Sequence, residues 1–418
     1  DKINEALIAI TNSASQSAVG EDFGQFGLEG RRLMAELKKL LSTAIGKTGI
    51  VDHLILSDKS KYEVLDAKMD RMLNLVDKLQ QIISKSGMDI MVESTICINL
   101  SAQQDNEQYA VELPKDILTK VMEKDIKKVE LVSDIGRAVV TLDFMDLIED
   151  LHILRSVVLR AMKTLDPGQE INPSFIFEVE VITVMGQGIK VYQFPKPIEI
   201  HIPYSLKVGE DHDAMTVFYL LNDGSVKNMG ARYDEAEEEF VFNANVLGRF
   251  AIKNNTITFD DVKKDHWGRK WIEAMASKGI VSGKDNRNFD PEGNVTRAEF
   301  AKMITMTLGL VDEYARSNFS DIAKGAWYES YVASAYNAGI ITGRPDGTFA
   351  PNENITRQDM AVMLARALQQ AAPVHGDKYI DFADKGKIAE YARQPLAIAV
   401  RNGLITGKPG NMVDPEGK

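Results

Sequence analysis

Phe259-Asp-Asp261, Trp267, Gly279-Ile280, Gly283, Phe289-Asp-Pro291 and Thr296-Arg297-Ala-Glu299 follow one another in the C-terminal half of this 418-residue chain. The same grammar returns as Phe319-Ser-Asp321, Trp327, Gly339-Ile340, Gly343, Phe349-Ala-Pro351 and Thr356-Arg357-Gln-Asp359. A third copy reads Phe382-Ala-Asp384, Tyr391, Gly403-Leu404, Gly407 and Val413-Asp-Pro415, and stops at Lys418 before any Thr-Arg element. The aromatic residue precedes the first Gly by 12 positions, and the second Gly precedes Pro by 8, in all three copies. Chance does not hold such registers, so this is a repeated structural unit. Thr296-x-x-Glu299 and Thr356-x-x-Asp359 have the form of a capping box. Each opens an apolar stripe at helical spacing: Phe300, Met303, Ile304 and Leu308, then Met360, Met363, Leu364 and Leu368. Residues 259–418 therefore read as helical, in units 259–318, 319–381 and a shortened 382–418.

The arginine inside each box is not needed for capping. A cation at a helix N-terminus opposes the macrodipole, so Arg297 and Arg357 must meet something negative. One reading is an anionic ligand held together with the free N–H groups of the helix end, to which the planar guanidinium suits a carboxylate. The other is a salt bridge to an Asp of a neighbouring repeat. Lys284, Arg344 and Lys408 follow the second Gly of each copy and form another cationic register. They are either solvated loop residues or ligand contacts. Trp267 and Trp327, with Tyr391 in the matching place, head short helices ending at Gly279, Gly339 and Gly403. They either continue the core stripe through Trp271, Met275 and Tyr331, or offer faces for sugars to stack on. Asp261, Asp321 and Asp384 sit in turns, capping the next element or accepting sugar hydroxyls. Gly283 and Gly343 end the turn that leads to Phe-x-Pro.

This grammar resembles the S-layer homology domain of bacterial surface proteins, over about 160 residues and through several motifs in order. The resemblance implies an all-α module of three repeats with pseudo-threefold symmetry and ligand grooves between neighbours. It implies non-covalent attachment to a secondary cell wall polymer, a glycan of pyruvylated amino sugars, on a Gram-positive-type envelope, and possible self-assembly into a lattice. It makes Arg297, Arg357, Trp267, Trp327, Lys284, Arg344, Lys408, Asp261, Asp321, Gly283 and Gly343 the candidate ligand site.

Charge is partitioned. Residues 259–418 carry 21 Lys+Arg and 21 Asp+Glu, leaving 28 against 40 for residues 1–258, which hold the whole net charge of −12. Binding to a polyanion would then rest on placed cations rather than on a general field. The single cysteine, Cys97, cannot form an internal disulfide and reads as a small buried hydrophobe. There is no 18-residue apolar run and no signal peptide. The chain starts at Asp1 and ends inside a repeat, which reads as a piece of a longer protein.

Upstream, residues 1–87 read as a helical segment. Leu65, Met69, Met72, Val76, Leu79 and Ile83 form a seam at coiled-coil spacing. Residues 88–253 change to strand period, with runs at Ile90–Val92, Ile96–Ile98, Val139–Leu142, Phe175–Val184, Ile198–Ile202, Met215–Leu220 and Phe240–Phe242. Asn222-Asp-Gly224 reads as a hairpin turn, and helices are expected near 114–127 and 144–163. This part loosely resembles the β-rich region that precedes homology repeats in clostridial and bacillar surface proteins, and a β-sandwich-like spacer is expected. The fold class is thus multidomain α+β.

No catalytic constellation stands out. The six histidines are scattered, and no Walker loop, Gly-x-Gly-x-x-Gly, Gly-x-Ser-x-Gly or His-Glu-x-x-His occurs. No cofactor is implied and no metal site is read. The acidic run Asp234–Glu239 could take calcium, but no EF-hand spacing supports it, and a solvated hairpin turn is the simpler reading. The expectation is an extracellular, wall-anchored structural protein with no enzymatic activity, no nucleic-acid partner and no membrane span. The alternative is the anchor of a larger surface enzyme or scaffold whose working domain lies upstream of Asp1.

Overall fold

The structure is a computed structural model that describes residues 95–99, 108–147, 151–164, 174–368 and 376–418, with Asp77 alone before them. The helical seam read in residues 1–87 and the strand read at Ile90–Val92 lie outside the described residues.

The described residues between 95 and 254 form two sheets around one hydrophobic core. The first sheet has the order β1 (Thr95–Asn99), β3 (Lys128–Ser133), β4 (Gly136–Thr141), β8 (Gln193–Pro203), β12 (Glu239–Val246), β11 (Arg232–Asp234). The second runs β10 (Val226–Asn228), β9 (Met215–Leu220), β13 (Arg249–Asn254), β6 (Ser174–Thr183), β5 (Leu154–Thr164), β2 (Gln108–Pro114), with β7 (Gly188–Val191) beside β6. Pairing is antiparallel except between β1 and β3. In β6 the alternation is strict: Phe175, Phe177, Val179 and Val181 point into the core, and Ile176, Glu178 and Glu180 are less buried. The sheets meet through such residues, as where Phe242 of β12 lies 5.1 Å from Phe250 of β13. Helix α1 (Lys115–Glu123) follows Pro114 and buries Ile117, Leu118 and Val121 against the same core.

The helix expected over 144–163 is not formed. Two 3₁₀ turns, Leu142–Leu147 and Leu151–Ile153, lead instead into the long strand β5. The segment contains the β-branched pair Val157-Val158, and it is hydrogen-bonded on both sides, to β2 and to β6. Two neighbouring strands outweigh a weak local helical pattern.

From Phe259 onward the described residues carry helices and turns, with two isolated β-bridges, Thr296–Asn354 and Lys408–Met412. The helices are α2 (Arg269–Ser277), α3 (Arg297–Thr307), α4 (Glu329–Asn337), α5 (Arg357–Leu368) and α6 (Glu390–Arg401). Each of α2, α4 and α6 ends in a Schellman motif at a left-handed glycine, with φ of 72°, 70° and 69° at Gly279, Gly339 and Gly403. The glycine N–H reaches back three residues and the next N–H five, as in Gly339 to Tyr336 O and Ile340 to Ala335 O. Helix α3 carries the full capping box between Thr296 and Glu299. In α5 the shorter Asp359 keeps only the backbone half, its N–H bonded to Thr356 Oγ1.

Two of the packing units cross the sequence repeats, while Phe259, Val262 and Ala276 form a smaller core inside the first. One core joins Phe300, Ala301 and Ile304 of α3 to Val332 and Ala335 of α4, and to Ile340, Ile341 and Phe349. The next joins Ala361 and Val362 of α5 to Ala392, Leu396 and Ala399 of α6. The second helix of one repeat thus folds against the first helix of the next. Stacking neighbours in this way buries a continuous core, which is why such units come in series.

The repeat junctions as candidate functional site

Within each repeat a carboxylate clamps the Phe-x-Pro loop. Asp261 accepts from the N–H groups of Phe289 and Asp290, at 2.9 and 2.7 Å. Asp321 does the same to Phe349 and Ala350, and Asp384 to Val413 and Asp414. The Phe289 N–H holds the Asp261 carboxyl below its ordinary range. Burial pushes Asp384 up, but the Val413 and Asp414 N–H groups outweigh it and hold that carboxyl low as well. The clamped loops share a feature the sequence reading missed. The residue before the loop proline is left-handed although it is never glycine, with φ of 63°, 59° and 51° at Asp290, Ala350 and Asp414. Asp at two of the three places was the available signal, since Asp tolerates that region better than most side chains. Gly283 and Gly343 are packed under this loop. A Cβ at Gly283 would meet Asp285 O, Asn288 O and the Phe259 ring, and one at Gly343 would collide with the Phe319 ring.

Between repeats the work is done by the arginines. The N–H groups of Arg297 and Ala298 donate to Glu353 O and Pro351 O of the second repeat, so the helix end expected to be free is filled. Arg297 also donates from Nε to Phe349 O and from Nη1 to Asp359 Oδ2, both at 2.8 Å. Its guanidinium stands 4.9 Å from the Phe349 ring centroid. Asp359 in turn accepts from the Tyr391 hydroxyl at 2.8 Å, so one carboxylate ties together all three repeats. Burial, and then the Asp359 carboxylate, push the Tyr391 hydroxyl up to about 12, which leaves it a neutral donor.

Arg357 repeats the backbone pattern with a different outcome. Its N–H and that of Gln358 donate to Gly417 O and Pro415 O. The side chain donates from Nε to Val413 O and from Nη2 to Thr406 O, each at 2.8 Å. Among the described residues no carboxylate pairs with it. Gln358, buried and also unremarked in the sequence, holds the third repeat through Glu416 Oε1 and the Ala389 N–H.

The other candidates are distributed over the surface. Lys284 Nζ lies 2.8 Å from Glu299, Arg344 binds Glu353 through both Nη atoms, and Lys408 Nζ lies 2.6 Å from Asp414. Bonding to Glu353 raises Arg344 further above its usual value. Arg344 also feels Asp359, and Glu353 feels both Arg297 and Lys418, so these groups form one charged cluster across the first junction. Trp267 and Trp327 are exposed, at 86% and 56% of their full surface, and Tyr391 at 59%. Trp271 is likewise exposed and Tyr331 half-buried.

For a metal, Asp211, His212 and Asp213 place one ligand atom each within 4.8 Å of one another. Their side chains already have protein partners, Lys270 for Asp213 and Glu235 for His212. The acidic run Asp234–Glu239 is a hairpin turn in which Asp234 accepts from Ala236 N–H and Glu237 N–H. Its last member, Glu239, points inward to His201.

Residues 258–301, 318–361 and 381–418 match the S-layer homology domain. An amylopullulanase of Thermoanaerobacterium thermosulfurigenes is 29% identical over 335 residues, which is 79% of this chain and 18% of that protein. That match is longer than the repeat region and so reaches into the β-rich part. The exoglucanase XynX of Acetivibrio thermocellus is 36% identical over 169 residues, 40% of this chain and 15% of its own length. The S-layer protein sap of Bacillus anthracis is 36% identical over 151 residues, 36% of this chain and 18% of its own. The chain therefore spans less than a fifth of each of these relatives. Among the described residues no helix is long and apolar enough to cross a membrane. The clamped loops and arginine-stapled junctions are thus those of three S-layer homology repeats, the module that anchors surface proteins to the cell wall.

Proposed function

We propose that the repeats hold this chain to an anionic secondary cell wall polymer through the cations and exposed aromatic rings at their junctions. The observation that carries this reading is the set of cations and exposed rings that recur at one register in successive repeats: Arg297 and Arg357, then Lys284, Arg344 and Lys408, with Trp267, Trp327 and Tyr391 exposed. A ketal carboxylate on a pyruvylated amino sugar would accept from such a guanidinium in a planar, two-pronged geometry. The exposed rings of Trp267, Trp327 and Tyr391 give sugar rings a surface to lie on. Arg344, Lys284 and Lys408 stand at the rim, each half-neutralised by an acid and able to exchange it for the ligand. The three-repeat architecture we read as pseudo-threefold, on the strength of the repeated clamps and caps. Titration of soluble polymer fragments, with and without the pyruvyl group, is the test. Arg357→Ala should weaken binding of the pyruvylated fragment about tenfold or more, since charge-assisted bonds contribute about 1.5–3 kcal/mol each. Unchanged affinity, or equal affinity for the fragment lacking pyruvate, would refute it.

A second reading concerns the whole protein. The relatives include an amylopullulanase and an exoglucanase that are each far longer than this chain, which favours an anchor for a larger surface enzyme. An S-layer subunit that assembles into a lattice is the other possibility, supported by the match to sap. Residues 95–418 themselves we read as non-enzymatic. Hydrolysis of starch or xylan by this chain, abolished by one point substitution, would overturn that.

A further inference from the structure

We propose that the β-rich domain is a fixed part of the wall anchor, locked to the first repeat, rather than a hinged spacer. The two meet at the C-terminal ends of α2 and α3, where unpaired carbonyls and the negative end of the helix dipole seek donors. Three asparagines of the β-rich side supply them. Asn228 and Asn255 donate from Nδ2 to Ser277 O, at 2.8 and 2.6 Å. Asn243 donates to Leu308 O at 3.2 Å. In the other direction Lys278 reaches from the end of α2 to the carbonyls of Asp213 and His212, at 3.0 and 3.4 Å. Lys227–Glu313 and Lys270–Asp213 add ion pairs across the same boundary, at 2.7 and 3.2 Å.

The glycines report how close the approach is. A Cβ on Gly309 would collide with the Asn243 side chain, and one on Gly279 would stand 3.3 Å from Asn228 Nδ2. Gly339 and Gly403 close the same Schellman motif in the other repeats, and there a Cβ would meet nothing within 4 Å. The first repeat is thus specialised for docking while its copies are not. The link has no slack either. Only residues 255–258 separate β13 from Phe259, and Asn255 is itself held by its N–H to Ala214 O and by its side chain to Ser277 O. The consequence is that whatever precedes the sheets leaves the wall in a set direction.

The test is a spin-label distance measurement on the full chain in a Cys97→Ala background, with Gln193→Cys in β8 and Asn286→Cys in the first repeat. Both positions are exposed. One narrow distance distribution is expected. Combining Asn228→Ala, Asn243→Ala, Asn255→Ala and Lys278→Ala should broaden it and split thermal unfolding into two transitions. A broad or multimodal distribution in the parent overturns the proposal even if the fourfold variant fails to fold. A folded fourfold variant that keeps the narrow distribution overturns it too.

Discussion

Arg297 Nη1 lies 2.8 Å from Asp359 Oδ2, although the two residues belong to the same motif in successive repeats. The second and fourth positions of the Thr-Arg-x-acid box thus serve different helices: the arginine reaches forward, and the acid receives it. This makes Arg297 a structural staple. Its side chain is only 13% exposed, and removing it leaves Asp359 and Phe349 O without that donor. Arg297→Ala should cost about 2–3 kcal/mol of repeat stability, read as a lowered urea midpoint. Arg357→Ala should cost less stability but more polymer affinity. Equal effects of the two substitutions on both readouts would show that the two arginines play the same part.

Tyr391 completes that relay. Tyr391→Phe deletes one hydrogen bond to a carboxylate and leaves the ring in place. Loosening of the third repeat by about 1 kcal/mol is expected, seen as faster amide exchange in α6 with α2 unchanged. Unaltered exchange would show that Arg297 alone satisfies Asp359.

The clamps make a pH prediction. Asp261 and Asp384 are both held below the ordinary value of 3.8 by loop N–H groups. A depressed carboxyl contributes stability that is full above 3.8 and is lost as pH falls through the lower folded value. The repeats should therefore keep their thermal midpoint down to about pH 4 and lose it below. Asp384→Asn should flatten that acid limb, and an acid limb of unchanged steepness would place its cause elsewhere.

The β-rich domain should respond at the other end. His201 is buried between Glu239 at 2.6 Å and Glu199 at 2.9 Å. Burial lowers its pKa, and Arg137 also opposes the charge, but the two carboxylates win and raise it above 6.5. A raised histidine contributes stability that is complete below 6.5 and disappears as pH climbs through the folded value. Melting of this domain should thus weaken from about pH 7 upward, and His201→Gln should remove the dependence. A His201→Gln variant with the same alkaline slope would refute the assignment.

Ala350 offers a gain. Its φ of 59° is unfavourable for an alanine by about 1 kcal/mol. Asp occupies the matching places in the other two loops. Ala350→Asn should raise stability by about 0.5–1 kcal/mol, measured by denaturant titration. A loss would mean that the loop has no room for the longer side chain.

The local layer of this protein was legible from its residues. The registers of Trp, Gly and Pro imply helices ending at Gly279, Gly339 and Gly403 and a capped helix at Thr296, because those features depend on contacts within a few residues. Strands such as Phe175–Val184 and Ile198–Ile202 were legible for the same reason, as strict alternation shows which face is buried. What the tertiary structure alone decided is partnership. Strand β5 exists because β2 and β6 flank it, against its own helical hint. Arg297 had two open readings, ligand or neighbouring aspartate, and only the fold brings Asp359 to it. Asn228, Asn243 and Asn255 carry no signal in the sequence at all. Their meaning comes from the helix ends they face, across separations that no local pattern records.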